Sequence, residues 1–201
     1  MIAIIDYGVG NLFSLVSSLK YIGQEAEVTA DEATLTRADK LILPGVGAFE
    51  DASARLRTTK LDQLVIREAA RGKPILGICL GMQMLFEKSL EFGTHDGLGL
   101  LRGVIAPIPS DAEHKIPHMG WNALQFKGEK SPLFKYIDEG DHVYFVHSYH
   151  AVDCENSVIA TTEYGMNVTA AVAQGNVFGA QFHPEKSGTV GLNILRAFAE
   201  M

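Results

Sequence analysis

Cys79 and Cys154 are the only two thiols in 201 residues. Two thiols supply no disulfide framework, so the chain is expected in a reducing, cytoplasmic compartment. Basic side chains are also in short supply: 17 Lys and Arg stand against 24 Asp and Glu, for a net charge of −7. That balance argues against nucleic acid and anionic membrane surfaces as partners, since both call for a basic face. No apolar run approaches the length of a bilayer span. The opening "MIAIIDYGVGN" has no basic flank and reads as a first strand, not a signal peptide. Repeats, low-complexity tracts and Pro/Ser-rich linkers are missing. So are H-E-x-x-H and C-x-x-C; His114 and His118 are four apart, but Pro117 between them argues against a helical metal pair. No metal and no cofactor are expected.

What is present is a chain 47% hydrophobic, enough to build a substantial core, and residues 1–201 are read as one domain. Residues 2–5, 26–29, 40–43 and 74–78 read as strands. Between them, Leu12, Leu15, Val16, Leu19 and Ile22 recur at helical spacing behind a possible N-cap at Asn11, and residues 49–71 are helical in composition. Met82, Leu85 and Phe86 mark the apolar face of a further helix. Such alternation predicts an α/β fold with a parallel sheet covered on both faces, and a ligand crevice beyond the carboxyl ends of its strands. From about Gly103 to Ala180 the runs 116–126, 142–146, 157–163, 168–174 and 177–182 are β-rich. They are expected to extend the same sheet as mixed or antiparallel strands. A last helix starts near Ser187.

Three glycine-bearing turns fall at predicted strand ends. Gly8-Val9-Gly10 could open a dinucleotide loop, but Phe13 stands where the third glycine belongs. Gly45-Val46-Gly47 follows residues 40–43. The third, Gly77-Ile78-Cys79-Leu80-Gly81, has the spacing of a nucleophile elbow with cysteine in place of serine. A thiol at the tip of a sharp strand-to-helix turn is exposed to substrate, and the N–H groups of the following helix favour its thiolate. The Leu80 N–H would face a developing oxyanion. The competing reading is a small core residue between two packing glycines. Cys154 has neither flanking glycines nor a helix start and reads as structural.

A nucleophilic thiolate needs a proton carrier and a group to orient it. In "GAQFHPEKS" a strand-like run ends at His183, and Pro184 stops the ladder. Glu185, two residues on, would share the side of His183 in an extended segment, fix its tautomer and leave the other ring nitrogen for the cysteine.

"GICLGMQ" and "HPEKS" together resemble the class I glutamine amidotransferases. The resemblance implies a three-layer, flavodoxin-like α/β fold, a mainly parallel central sheet with an antiparallel extension, and a catalytic triad of Cys79, His183 and Glu185. "LILPGVGAF" at 41–49 resembles that family's oxyanion strand, which implies an oxyanion hole from the Leu80 N–H and an N–H of Gly45, Val46 or Gly47. Gln83 and the backbone near Ser148 and Tyr149 would hold the glutamine head group. "DYGVGN", "IPHMGWN" at 116–122 and "YFVHSYHA" at 144–151 resemble one branch, the glutaminase subunits of imidazole glycerol phosphate synthases.

In that branch ammonia released from L-glutamine passes to a (β/α)8-barrel cyclase subunit. The two chains form a heterodimer that makes imidazole glycerol phosphate and an aminoimidazole carboxamide ribonucleotide in histidine biosynthesis. By similarity, Asn11, His118, Met119, Gly120, Trp121, Asn122, Tyr144 and Lys186 would lie at or near the cyclase contact. Trp121, the only tryptophan, could instead be a core aromatic. The glycines flanking Val46 would let the oxyanion donor point away until the partner binds. Two other readings remain open at this stage: a class I glutaminase serving another synthase, and a non-catalytic binding relative on the same fold.

Overall fold

Four consecutive apolar residues, Ile2–Ile5, can all be buried only if both faces of their strand are covered. In the computed structural model, which describes residues 1–110 and 112–201, this is what happens. Ala3 and Ile5 enter one core cluster, while Ile2 and Ile4 enter a second on the opposite face. The same alternation sends Leu41 and Leu43 to the first cluster and Ile42 to the second.

The elements follow in order. β1 (Ile2–Ile5), α1 (Leu12–Tyr21), β2 (Ala26–Thr29), α2 (Glu32–Arg37), β3 (Lys40–Leu43), α3 (Phe49–Thr58), α4 (Leu61–Ala70) and β4 (Ile75–Ile78) make up the alternating half. Then come α5 (Leu80–Met84), β5 (Phe86–Ser89), β6 (His95–Asp96), β7 (Leu101–Pro107), β8 (His118–Ala123), β9 (Gln125–Phe126), β10 (His142–His147), β11 (Tyr149–Val152), β12 (Val158–Glu163), β13 (Asn167–Gln174), β14 (Val177–Ala180) and α6 (Gly188–Glu200). The main sheet has the order β2-β1-β3-β4-β14-β13-β12-β9. It is parallel from β2 through β14 and antiparallel from β13 onward. Leu56, Leu64 and Val65 of α3 and α4 pack into one cluster; Leu15 and Leu19 of α1 join Ile194, Leu195 and Phe198 of α6 in the other. The result is three layers, as the alternation predicts. Among the described residues no helix is long and apolar enough to cross a membrane.

The structure departs from expectation in five places. The helix expected over 49–71 is two helices, because Lys60 sits in the left-handed region at φ 60°. The hydroxyls of Thr58 and Thr59 fold back onto the Ala54 and Arg55 carbonyls at that end. A short helix at 32–37 has its own start signal: the Asp31 carboxylate accepts the Thr34 N–H at 2.8 Å. Asn11, by contrast, makes no side-chain cap.

The helix after Cys79 lasts only five residues, and Phe86 begins a strand. The carbonyls of Met84, Leu85 and Phe86 are taken by the N–H groups of Leu98, Leu100 and Gly99, which leaves none for a longer helix. Finally, the β-rich second half is not one extension of the main sheet. Among the described residues β8 pairs only with β10, and β5, β6, β7 and β11 form a third sheet.

Candidate active site

Cys79 stands just past β4 with φ 53° and ψ −112°, a backbone setting that costs energy for any residue with a Cβ. Its N–H is anchored on the Ala180 carbonyl at 2.7 Å. The flanking glycines are dictated by crowding. A Cβ on Gly81 would lie 1.8 Å from the Leu43 carbonyl oxygen, and one on Gly77 would lie 2.7 Å from backbone atoms of Gly81 and Met82. The elbow is thus wedged between β3 and β14, and the thiol is aimed into a cavity of about 310 Å³.

His183 and Glu185 reach that point from β14. The His183 N–H donates to the Tyr144 carbonyl at 2.9 Å, and the Ser187 hydroxyl donates to the His183 carbonyl at 2.7 Å. His183 Nδ1 lies 2.8 Å from Glu185 Oε1, with both side chains almost wholly buried. The segment is not extended as expected; Pro184–Lys186 forms a 3-10 turn that swings Glu185 under the ring. Burial opposes a charged imidazole here. Hydrogen bonds and charge from Cys79 and Glu185 outweigh it and hold His183 up at about 9. The three residues predicted as a triad therefore converge, and the histidine is poised to carry a proton.

Short α5 offers much less dipole than a full helix, so the main polar neighbours of the Cys79 sulfur are His183 and Gln181. Cys154 lies elsewhere; burial pushes its thiol up to about 11, as befits an inert cysteine.

Val46, Gly47, Leu80, Gln83, Ser148 and Tyr149 all line the cavity. Gly45 lies behind it, and its carbonyl accepts the Leu80 N–H at 3.3 Å. The donor expected to face an oxyanion is therefore occupied. Gln83 donates to the Tyr149 carbonyl at 3.1 Å and to Gln181 Oε1 at 3.0 Å, and Gln181 Nε2 reaches Cys79 Sγ at 3.7 Å. Sequence reasoning missed Gln181, though a polar residue inside the buried run "VFGAQF" was a usable signal. It also missed Glu91, which lines the cavity while Oε2 accepts the Phe49 N–H at 2.6 Å. Nothing in the local pattern marks Glu91, because a turn of β5 and β6 brings it in.

Of the residues expected at a partner face, Met119 and Trp121 are 59% and 53% exposed, a large apolar pair left in solvent. Trp121 meets the Tyr144 ring edge-on at 6.0 Å, and Lys186 Nζ sits 5.9 Å from the centre of the same ring. Asn11, Gly120 and Asn122 are half-buried. His118 is a correction: it has no exposed surface and cannot touch a partner. Alternation along β8 turns its ring inward, opposite His147 on β10.

A cysteine elbow, a His–Glu pair and a glycine loop at the carboxyl ends of a mainly parallel sheet define a class I amidotransferase site, and residues 3–201 match the family described as "Glutamine amidotransferase class-I". The chain belongs to this family. It is 50% identical to the imidazole glycerol phosphate synthase subunit HisH of Oceanobacillus iheyensis, over 100% of this chain and 99% of that one. It is also 50% identical to the subunit of the same name from Bacillus subtilis, over 100% and 96%. Solved structures agree on the fold. A structure titled "Crystal structure of glutamine amidotransferase" aligns with TM-score 0.77 at 21% identity over 100% and 98% of the two chains. The "Structure of PurLQS from Thermotoga maritima" aligns with TM-score 0.77 at 22% over 99% and 97%.

Proposed function

We propose that this chain is the glutaminase subunit of an imidazole glycerol phosphate synthase, hydrolysing L-glutamine and supplying ammonia to a (β/α)8-barrel cyclase subunit. The observation that carries the reading is the meeting of Cys79 and His183 at one cavity wall, with Glu185 buried against the far ring nitrogen of His183. The Cys79 thiolate attacks the γ-carboxamide carbon. His183 gives its proton to the departing nitrogen, the C–N bond breaks, and ammonia and a thioester remain. His183, now neutral, takes a proton from water, which attacks the thioester and releases glutamate and the thiolate. Glu185 holds the imidazole and stabilises its cation throughout. Glu91 places a carboxylate in the cavity suited to a substrate ammonium.

The partner surface is read as Asn11, Met119, Trp121, Tyr144 and Lys186, with Gly120 and Asn122 behind them. Trp121 and Tyr144 are the residue types that anchor interfaces. The Tyr144 carbonyl accepts the His183 N–H, so this surface is one residue away from the triad. Reconstitution tests the reading. With a cyclase barrel subunit the chain should confer glutamine-dependent formation of imidazole glycerol phosphate. Service to a different synthase, with no response to this one, would contradict it.

The raised His183 value predicts a pH effect. The imidazolium persists until about pH 9, so the alkaline limb of turnover should fall there. Glu185→Gln removes an anion that favours the cation. Its alkaline limb should move to lower pH, and an unmoved limb would show that Glu185 does not act on His183. The same shift contributes stability that is full below the ordinary histidine value of 6.5 and is lost as pH climbs through about 9.

A further inference from the structure

His118 and His147 are two buried imidazoles that the hydrolysis above does not use. They belong to a run of polar groups crossing the protein from strand β12 to the cavity wall. The Nδ2 end of the Asn122 amide donates to the Glu163 carbonyl at 3.1 Å. The other end lies 2.9 Å from His118 Nε2. His118 Nδ1 lies 2.9 Å from His147 Nε2, and His147 Nδ1 lies 2.8 Å from the Tyr149 carbonyl.

Each of these four contacts needs one proton between its heavy atoms. Neutral imidazoles bring one each, and an amide donates from one end only, so three protons serve four contacts. A fourth proton would make one imidazole a cation. Burial opposes that at both rings, and the nearby His150 and His183 add like charge at His147. One contact therefore goes without a proton. The His118–His147 contact is buried and the two beside it are part-buried, so a gap there sets lone pair against lone pair with less water to relieve it than at the exposed outer end. At the outer end, between Asn122 and Glu163, the contact is exposed and water can serve both groups. The two ends of the amide are alike in shape, so Asn122 can turn its nitrogen inward without moving a neighbour.

We infer that Asn122, His118 and His147 form a one-way hydrogen-bond chain, all three protons pointing inward, that positions the Tyr149 carbonyl at the glutamine site. His118 cannot swing out of line. Its ring is stacked between Phe145 and Tyr164, with centroids 4.9 and 4.1 Å away and both interplanar angles 22°. Its tautomer is the remaining freedom, and Asn122 sets it. The Tyr149 carbonyl receives Gln83 and His147 together, which fixes the Ser148–Tyr149 wall of the cavity. His118 and His147 are thus positioning residues for the proposed reaction, and Asn122 starts the chain beside the proposed partner surface.

The direct test is ¹⁵N NMR of the ring nitrogens in the purified chain at neutral pH. Both His147 and His118 should carry a proton on Nδ1 and a bare Nε2. A proton on Nε2 of His147 overturns the chain, and this readout needs no turnover, so it stands apart from whether the protein hydrolyses glutamine. The kinetic arm uses the complex with a cyclase subunit. His118→Leu removes the donor to His147, and KM for glutamine should rise about tenfold, with kcat changed less. His118→Asn sets an amide N–H near the place of Nδ1 and should recover most of that loss. Equal behaviour of the Leu and Asn variants contradicts the inference.

Discussion

Cys79→Ala should reduce glutamine-dependent turnover on the order of 10⁶-fold, the size seen when a nucleophile is removed from a triad that acts as a unit. The loss should be confined to glutamine. In a complex with a cyclase subunit, the variant should still form product when ammonium salts replace glutamine, because ammonia bypasses the thiol. The elbow supports such a clean separation. Cys79 is buried and its N–H is held by the Ala180 carbonyl, a bond that does not depend on the sulfur. Alanine keeps a Cβ, so the cost of φ 53° is no greater than in the parent chain. Loss of both activities together would place Cys79 in the structure, not in the chemistry. Cys154→Ala is the control and should leave glutamine turnover within about twofold, because burial keeps that thiol protonated.

The isolated chain should hydrolyse glutamine slowly, and a cyclase subunit with its nucleotide ligand should accelerate it by roughly 10²- to 10³-fold, the range associated with one oxyanion donor. The reason lies in one bond. The Leu80 N–H donates to the Gly45 carbonyl at 3.3 Å, so an acceptor already occupies the place where an oxyanion should be held. Turning over the Gly45–Val46 peptide would withdraw that carbonyl and present the Val46 N–H in its place. The local structure tolerates this. Gly47 is already at φ 97°, and a Cβ there would meet nothing within 4 Å, while Val46 is 41% exposed. Gly45 itself is hemmed in: a Cβ would lie 2.8 Å from the Tyr7 hydroxyl and the Gly81 nitrogen. The hinge motion therefore falls on the Val46 side. Stopped-flow glutaminase assays with and without the partner measure the effect. Full speed in the isolated chain would show that the Gly45 bond does not restrain the reaction.

The meeting of Cys79 and His183 was legible because both carry a local signature. Cysteine between glycines and histidine before proline are patterns that backbone geometry imposes on sequence. The parallel half of the main sheet was legible for a similar reason: Ile2–Ile5 and Lys40–Leu43 are apolar on both faces or nearly so. What escaped was decided by partners distant in the chain. The helix after Cys79 is cut short by N–H groups from residues 98–100, which no pattern in 80–86 announces. The division of the second half into three sheets depends on which edges meet. His118 was placed at a surface because its motif resembles a contact segment, yet strand alternation turned it inward while Met119 and Trp121 faced out. The occupied Leu80 N–H could not be read at all, since it concerns the orientation of a single peptide.

Acid-quenching the complex during glutamine turnover and mapping the adduct by mass spectrometry tests the triad most directly. A glutamyl thioester on the peptide that contains Cys79, absent from Cys79→Ala, is the result this account predicts. An adduct on Cys154, or turnover with no covalent adduct on either thiol, would contradict it.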